Sequence, residues 1–140
     1  MTSTAITEQV LAANRRFYDA LEALDIGAME ACWTPAPGVA CLHPGGPWQR
    51  GWDEVSAGWE AILTNTGYLE FEIVDVEVTV NDPVAWVTCV ERITTAAGEG
   101  PGTAAEVAAT NLFVLERTGW RIALHHASPI IRSAPVEDDE

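Results

Sequence analysis

The chain has 140 residues, a formal net charge of −14 and 48% apolar residues, a balance that fits one ordinary globular core and argues against disorder. All seven cations are arginine against 21 acids, and no apolar run approaches the roughly 18 residues of a membrane span. Nucleic acid and anionic membranes are therefore not expected as partners, and without lysine a Schiff base and a Walker-type phosphate loop are both ruled out.

Residues 5–24 read as an amphipathic helix. Val10, Ala13, Phe17, Leu21 and Leu24 recur at helical spacing, with Glu8, Arg15, Asp19 and Glu22 turned away. Thr7 is a candidate early cap, and Asp25 a cap for a short second helix through Met29 to Trp33, ended by Pro35, Pro37 and Gly38. Val39 to His43 is a short apolar strand that stops at the rigid turn His43-Pro44-Gly45-Gly46-Pro47, followed by Trp48, Arg50 and Gly51. Asp53 is the expected cap of a third helix with a Val55, Trp59, Ile62 and Leu63 stripe.

The second half is strand-like. Residues 69–80 alternate, with Val74, Val76, Val78 and Val80 on one predicted face and Phe71, Ile73, Asp75 and Glu77 on the other. Residues 84–95, 104–117 and 120–128 continue as strands, broken by Asn81-Asp82-Pro83, the Gly98–Gly102 loop and Thr118-Gly119. Helices followed by long strands predict an α+β fold: three N-terminal helices on a strongly curved antiparallel sheet, with a cavity where the sheet curls over them. We expect one domain over residues 1–132 and a solvated acidic tail over 133–140.

Cys32, Cys41 and Cys89 are odd in number, widely spaced and without a CxxC, and read as reduced, mostly buried thiols. With no basic and apolar leader in Met1 to Glu8, a cytoplasmic location is expected.

The order of "AMEACW", "VACLHPGG", "RGWDEVSAGWEAI" and "ATNLFVLERTGWRIALHHAS" resembles the nuclear transport factor 2-like superfamily, and within it the SnoaL-like branch, over roughly residues 5–131. The resemblance implies a cone-shaped α+β fold and a common homodimer through the outer face of the sheet. Ketosteroid isomerase belongs to the same superfamily. Its proton-abstracting Asp corresponds here to His43, its oxyanion-hole Asp to Asn111, and its oxyanion-hole Tyr to Phe17 with Tyr18 beside it. All three polar positions depart from the isomerase pattern. The resemblance implies a small-molecule protein, an isomerase, cyclase or dehydratase without cofactor, or a non-catalytic association domain.

The residues themselves nominate His43 as a base, because imidazole titrates near neutral pH and side chains at a strand end reach a cavity mouth, or else as a structural histidine that hydrogen-bonds across the Pro/Gly loop. Asn111 is a candidate oxyanion donor, or else a buried amide satisfied by backbone. His125 and His126 point to opposite faces of one strand. The series Trp120, Ile122, Leu124, His126 places His126 inside and His125 at solvent or an interface. Trp33 and Trp48, with Phe17, are candidates to wall a pocket for an apolar or aromatic ligand, the alternative for each tryptophan being plain core packing, the commoner fate of aromatics. Of Glu91 and Arg92 one must face the cavity, and a buried Glu91 would need a partner or a proton. No metal is expected, because nothing in the spacing brings His43, His126 and Glu91 together.

Overall fold

The computed structural model describes residues 2–96 and 102–131. The expected acidic tail, and all of the Gly98–Gly102 loop except Gly102, lie outside the described residues. Three helices, α1 (Ser3–Ala23), α2 (Ile26–Ala31) and α3 (Trp52–Asn65), accompany six strands: β1 (Ala40–Leu42), β2 (Trp48–Arg50), β3 (Tyr68–Asn81), β4 (Val84–Ala96), β5 (Thr103–Glu116) and β6 (Gly119–Pro129).

Helix α1 starts earlier than the sequence suggested: Thr2, not Thr7, caps it, its side chain accepting from the Ala5 amide at 3.1 Å. Leu24 ends it in the left-handed region (φ 53°), and its N–H bonds back to Ala20 and Leu21. Asp25 then caps α2 as expected, accepting from the Ala28 amide at 3.1 Å. Asp53 does not cap α3. Gly51 holds that position with φ 84°, a conformation that favours glycine, and Asp53 and Glu54 instead occupy the first turn, where the helix dipole favours acids.

The sheet order is β2-β1-β6-β5-β4-β3. The predicted α+β fold holds, with one correction: the sheet is mixed, because β1 runs parallel to β6 while every other pair is antiparallel. Strand β2 was not predicted. Three residues carry no period-2 signal, and only pairing with β1 makes them a strand.

Two bulges decide which side chains face inward. In β3, Val74 opposes Val90 and Glu77 opposes Thr88, so Asp75 and Val76 together oppose one residue, with Asp75 at φ 53°. The four valines therefore do not share a face. Phe71 and Ile73 before the bulge, and Val78 and Val80 after it, all pack against the core. In β6, Leu112 opposes Leu124 but Phe113 opposes Ile122, leaving Ala123 unpaired. The inward series is Trp120, Ile122, His125 and Ala127. The core lies between this concave face and the stripes of α1 and α3, with Phe17, Trp33, Trp59 and Phe113 among its largest buried side chains.

Candidate functional site

The α1 stripe that buries Val10, Ala13, Phe17 and Leu21 also buries two polar residues one turn apart, Asn14 and Tyr18. Opposite them the inner face of the sheet presents Cys89 and Glu91 from β4, Asn111 from β5 and His125 from β6, all buried. The open choice between Glu91 and Arg92 is thereby settled: Glu91 points inward and Arg92 outward, where it bonds Glu106 at 3.0 Å and Glu72 at 3.4 Å.

These groups form one hydrogen-bonded chain. The Asn111 amide Nδ2 donates to Asn14 Oδ1 at 2.8 Å and to the Tyr18 hydroxyl at 3.1 Å. Asn111 Oδ1 is then left to accept from His125 Nδ1 at 2.5 Å, which assigns the His125 proton to Nδ1. The Tyr18 hydroxyl in turn donates to Glu91 Oε2 at 2.6 Å. From His125 through Asn111 and Tyr18 the donors lead to Glu91, the one buried carboxylate among the described residues.

Burial sets the protonation states. It pushes the Glu91 carboxyl up to about 7, against the Tyr18 hydrogen bond that favours the anion. It raises the Tyr18 phenol well above its usual value, and the neighbouring Glu91 charge adds to this. It lowers His125 to about 3, with His43 and His126 nearby acting in the same direction, so His125 is neutral. The three cysteines are free thiols. Burial pushes Cys41 up to about 12 and Cys32 and Cys89 up to about 11, which keeps all three protonated.

A groove of about 770 Å³ runs between α1 and β3 and reaches this chain: Leu11, Asn14, Tyr18, Ile73, Val76 and Val78 are in its walls. Asn14 meets it with a free hand, since its Oδ1 is held by Asn111 and its Nδ2 makes no hydrogen bond among the described residues.

The structure gathers Tyr18, Glu91 and Asn111 of the predicted set and separates the others. His126 is corrected to the outer face, 5.5 Å ring to ring from Trp48, and His125 to the interior; the Ala123 bulge adds one residue to the alternation. Trp48 does not wall an interior pocket: it is 39% exposed and carries the Arg50 guanidinium over its ring. Trp33 is core, against Trp52 and Trp59. Phe17 is core as well, edge-on to Tyr18 and Trp59, and it is Tyr18, not Phe17, that reaches Asn111. His43 is half-buried rather than at the groove: its ring lies 4.6 Å from Trp59 and its Nε2 3.5 Å from Cys41 Sγ. Burial lowers its pKa, opposed by a side-chain hydrogen bond from the His43 ring to Gln49, which favours the protonated form.

Asn14, Cys89 and His125 were missed. Asn14 had a signal, a polar residue on the buried stripe at i−3 from Phe17 and i+4 from Val10. Cys89 shares the inner face with Glu91, two residues away, and accompanies the Tyr18 hydroxyl at 3.5 Å.

The SnoaL-like domain family matches residues 10–132. Among solved structures, the chain is similar to a proposed dehydratase of the nuclear transport factor 2-like family from Streptomyces avermitilis: 36% identity, 94% of this chain and 100% of that one, TM-score 0.90. It is similar to a proposed calcium/calmodulin-dependent protein kinase type II association domain from Thiobacillus denitrificans, at 32% identity over 86% of this chain and 94% of that one, TM-score 0.76. It is also similar to a ketosteroid isomerase-like protein from Erwinia carotovora atroseptica, at 25% identity over 90% of this chain and 97% of that one, TM-score 0.74. F-box protein SKIP8 of Arabidopsis thaliana is 23% identical over 127 residues, which are 91% of this chain; the chain spans about half that relative's length, 52%. Among the described residues, no helix is long and apolar enough to cross a membrane.

Proposed function

The chain belongs to the SnoaL-like domain family, and from that premise we propose that it binds a small, largely apolar carbonyl compound in the α1/β3 groove and moves a proton on the carbon next to the carbonyl. The activity class is a cofactor-independent isomerase, cyclase or dehydratase. One observation carries the reading: a buried carboxyl that titrates near neutral pH sits behind a tyrosine that opens onto the groove.

The roles follow from the hydrogen bonds. The free Nδ2 of Asn14 donates to the substrate carbonyl oxygen and stabilises the enolate as it forms. The Tyr18 oxygen takes the proton from carbon while its own proton passes to Glu91 Oε2. The net change is one carbon–hydrogen bond broken and one carboxylic acid formed, and the reverse transfer to another carbon completes an isomerisation. Asn111 and, through it, His125 hold the Tyr18 oxygen in place. We place the base at Tyr18 and Glu91 rather than at His43, because His43 is enclosed by Trp59 and Cys41 and is not part of the groove wall. The three free thiols support a reducing, cytoplasmic compartment.

The test is deuterium exchange beside the carbonyl of a panel of aryl ketones, followed by NMR. Wild type exchanges and Glu91→Gln loses about 10²–10⁴-fold. Exchange that is unchanged in Glu91→Gln, or absent from wild type across a panel that binds, removes the enzyme reading.

A second reading, a non-catalytic homodimeric association domain, is favoured by the outer sheet face. Its half-buried Trp86, Val90, Leu112, Val114 and Leu124 form an apolar surface. Sedimentation of wild type and Leu112→Arg tests it: a dimer that becomes a monomer supports it, and a wild-type monomer removes it.

A further inference from the structure

The groove carries more information than its floor. Two of the exposed large apolar residues, Leu11 at 37% and Val76 at 40%, belong to its opposite walls, one on α1 and one on β3. Val76 is there because of the β3 bulge: Asp75 adopts the left-handed region and Val76 leaves the ladder. Apolar side chains exposed on both walls of one groove are what a ligand with an apolar body requires.

Arg15 adds a charge to this pattern. It lines the groove one turn after Leu11 and makes no hydrogen bond or ion pair among the described residues. Among the described arginines only Arg92, with Glu72 and Glu106, and Arg121, with Glu116, form ion pairs, and of those that do not, Arg15 and Arg16 line this groove. Arg16 also lines the groove but turns toward α2, where its charge acts on Cys32. Glu8 and Asp19 lie in the same walls, so the local charge balances and a ligand with several negative charges is disfavoured. Arg15 and Tyr18 are three residues apart on one helix, which sets their Cβ atoms about 5–6 Å from each other.

We infer that the ligand of this groove is a small oxo monocarboxylic acid with an apolar body: carbonyl at Asn14 and Tyr18, carboxylate at Arg15 a few bonds away, and the body between Leu11 and Val76. This rests on the proton-transfer reading above and adds to it the class of substrate. A guanidinium with no internal partner gives its two parallel donors to a carboxylate without first losing another bond.

The experiment uses 4-oxo-4-phenylbutanoate and its primary amide, titrated calorimetrically into wild type, Arg15→Gln, Val76→Asp and, as a control for net charge, Arg117→Gln. The acid binds wild type at least about tenfold tighter than the amide. That preference falls to near unity in Arg15→Gln and survives in Arg117→Gln, and Val76→Asp weakens both compounds. If acid and amide bind alike, or the preference survives Arg15→Gln, while Val76→Asp still weakens binding, the carboxylate assignment is overturned and the groove remains the site. If neither compound binds wild type, or Val76→Asp leaves both affinities unchanged, the groove itself is overturned together with the reading it rests on.

Discussion

Two buried polar corners lie within one interior and differ in what they offer. On the α1/β3 side, Asn14, Tyr18, Glu91 and Asn111 are hydrogen-bonded to one another, and two of them, Asn14 and Tyr18, line a groove. On the α3 side, His43 meets Trp59 edge-on, approaches His125 to 6.4 Å between rings, and finds a thiol that burial keeps protonated. Both contain a titratable group whose pKa burial shifts, Glu91 upward to about 7 and His43 downward. Only the first couples that group to a donor chain and to a space a ligand can enter. A histidine at a strand end is thus a weaker indicator of chemistry than a satisfied polar network that ends at a groove.

The sharpest way to break this comparison is kinetic. Tyr18→Phe lowers exchange by about 10²–10⁴-fold, whereas His43→Gln changes it by less than about threefold. Parallel NMR exchange assays on both variants check this, and the opposite ranking would return the base to His43.

Next is the stability of the network. Asn111→Leu leaves Asn14 Oδ1, the Tyr18 hydroxyl and His125 Nδ1 without the partner that orders them, at a cost of about 3–5 kcal/mol by urea denaturation. A loss below about 1 kcal/mol would mean that these groups find replacements.

The pH dependence separates two residues with opposite signs. Glu91 has a raised folded-state pKa, so its stabilising contribution is present below pH 4.5 and is lost as pH rises through about 7. The difference is on the order of 3 kcal/mol. His125 has a lowered one, so its contribution is present above pH 6.5 and is lost as pH falls toward about 3. Between about pH 4.5 and 6.5 the two oppose each other. Glu91→Gln should therefore lose stability on acidification through that window, and His125→Gln should lose it as pH rises through about 7. Denaturation midpoints across pH 4 to 8 check both, and parallel profiles for the two variants would refute the assignment.

Smallest is the outer corner. Trp48→Ala removes an exposed ring that carries Arg50, at about 0.5–1 kcal/mol, with exchange unchanged. A larger loss of activity would show that this face communicates with the groove.

Much of the molecule was legible in the chain. The α1 and α3 stripes, the Asp25 cap and the four long strands follow from local periodicity and turn chemistry, and the ordered motifs from "AMEACW" to "HHAS" pointed to the SnoaL-like fold. Of the site, Tyr18, Glu91 and Asn111 were named from the sequence, but their connection was not. His126 was preferred to His125 because alternation was counted through Ala123, and a bulge is a property of two paired strands rather than of either one alone. The valine run of β3 misled for the same reason at Asp75 and Val76.

By itself, then, the sequence determined the three helices and the four long strands, the fold class, the shortage of basic residues and the residue types available for chemistry. These depend on propensity, period and charge, which are local or additive. Only the tertiary structure decided that β1 lies parallel to β6, that His125 rather than His126 is inside, and that Asn14, Tyr18, Glu91 and Asn111 meet. Those outcomes depend on strand register and on contacts between residues as many as 97 positions apart, which no local pattern encodes.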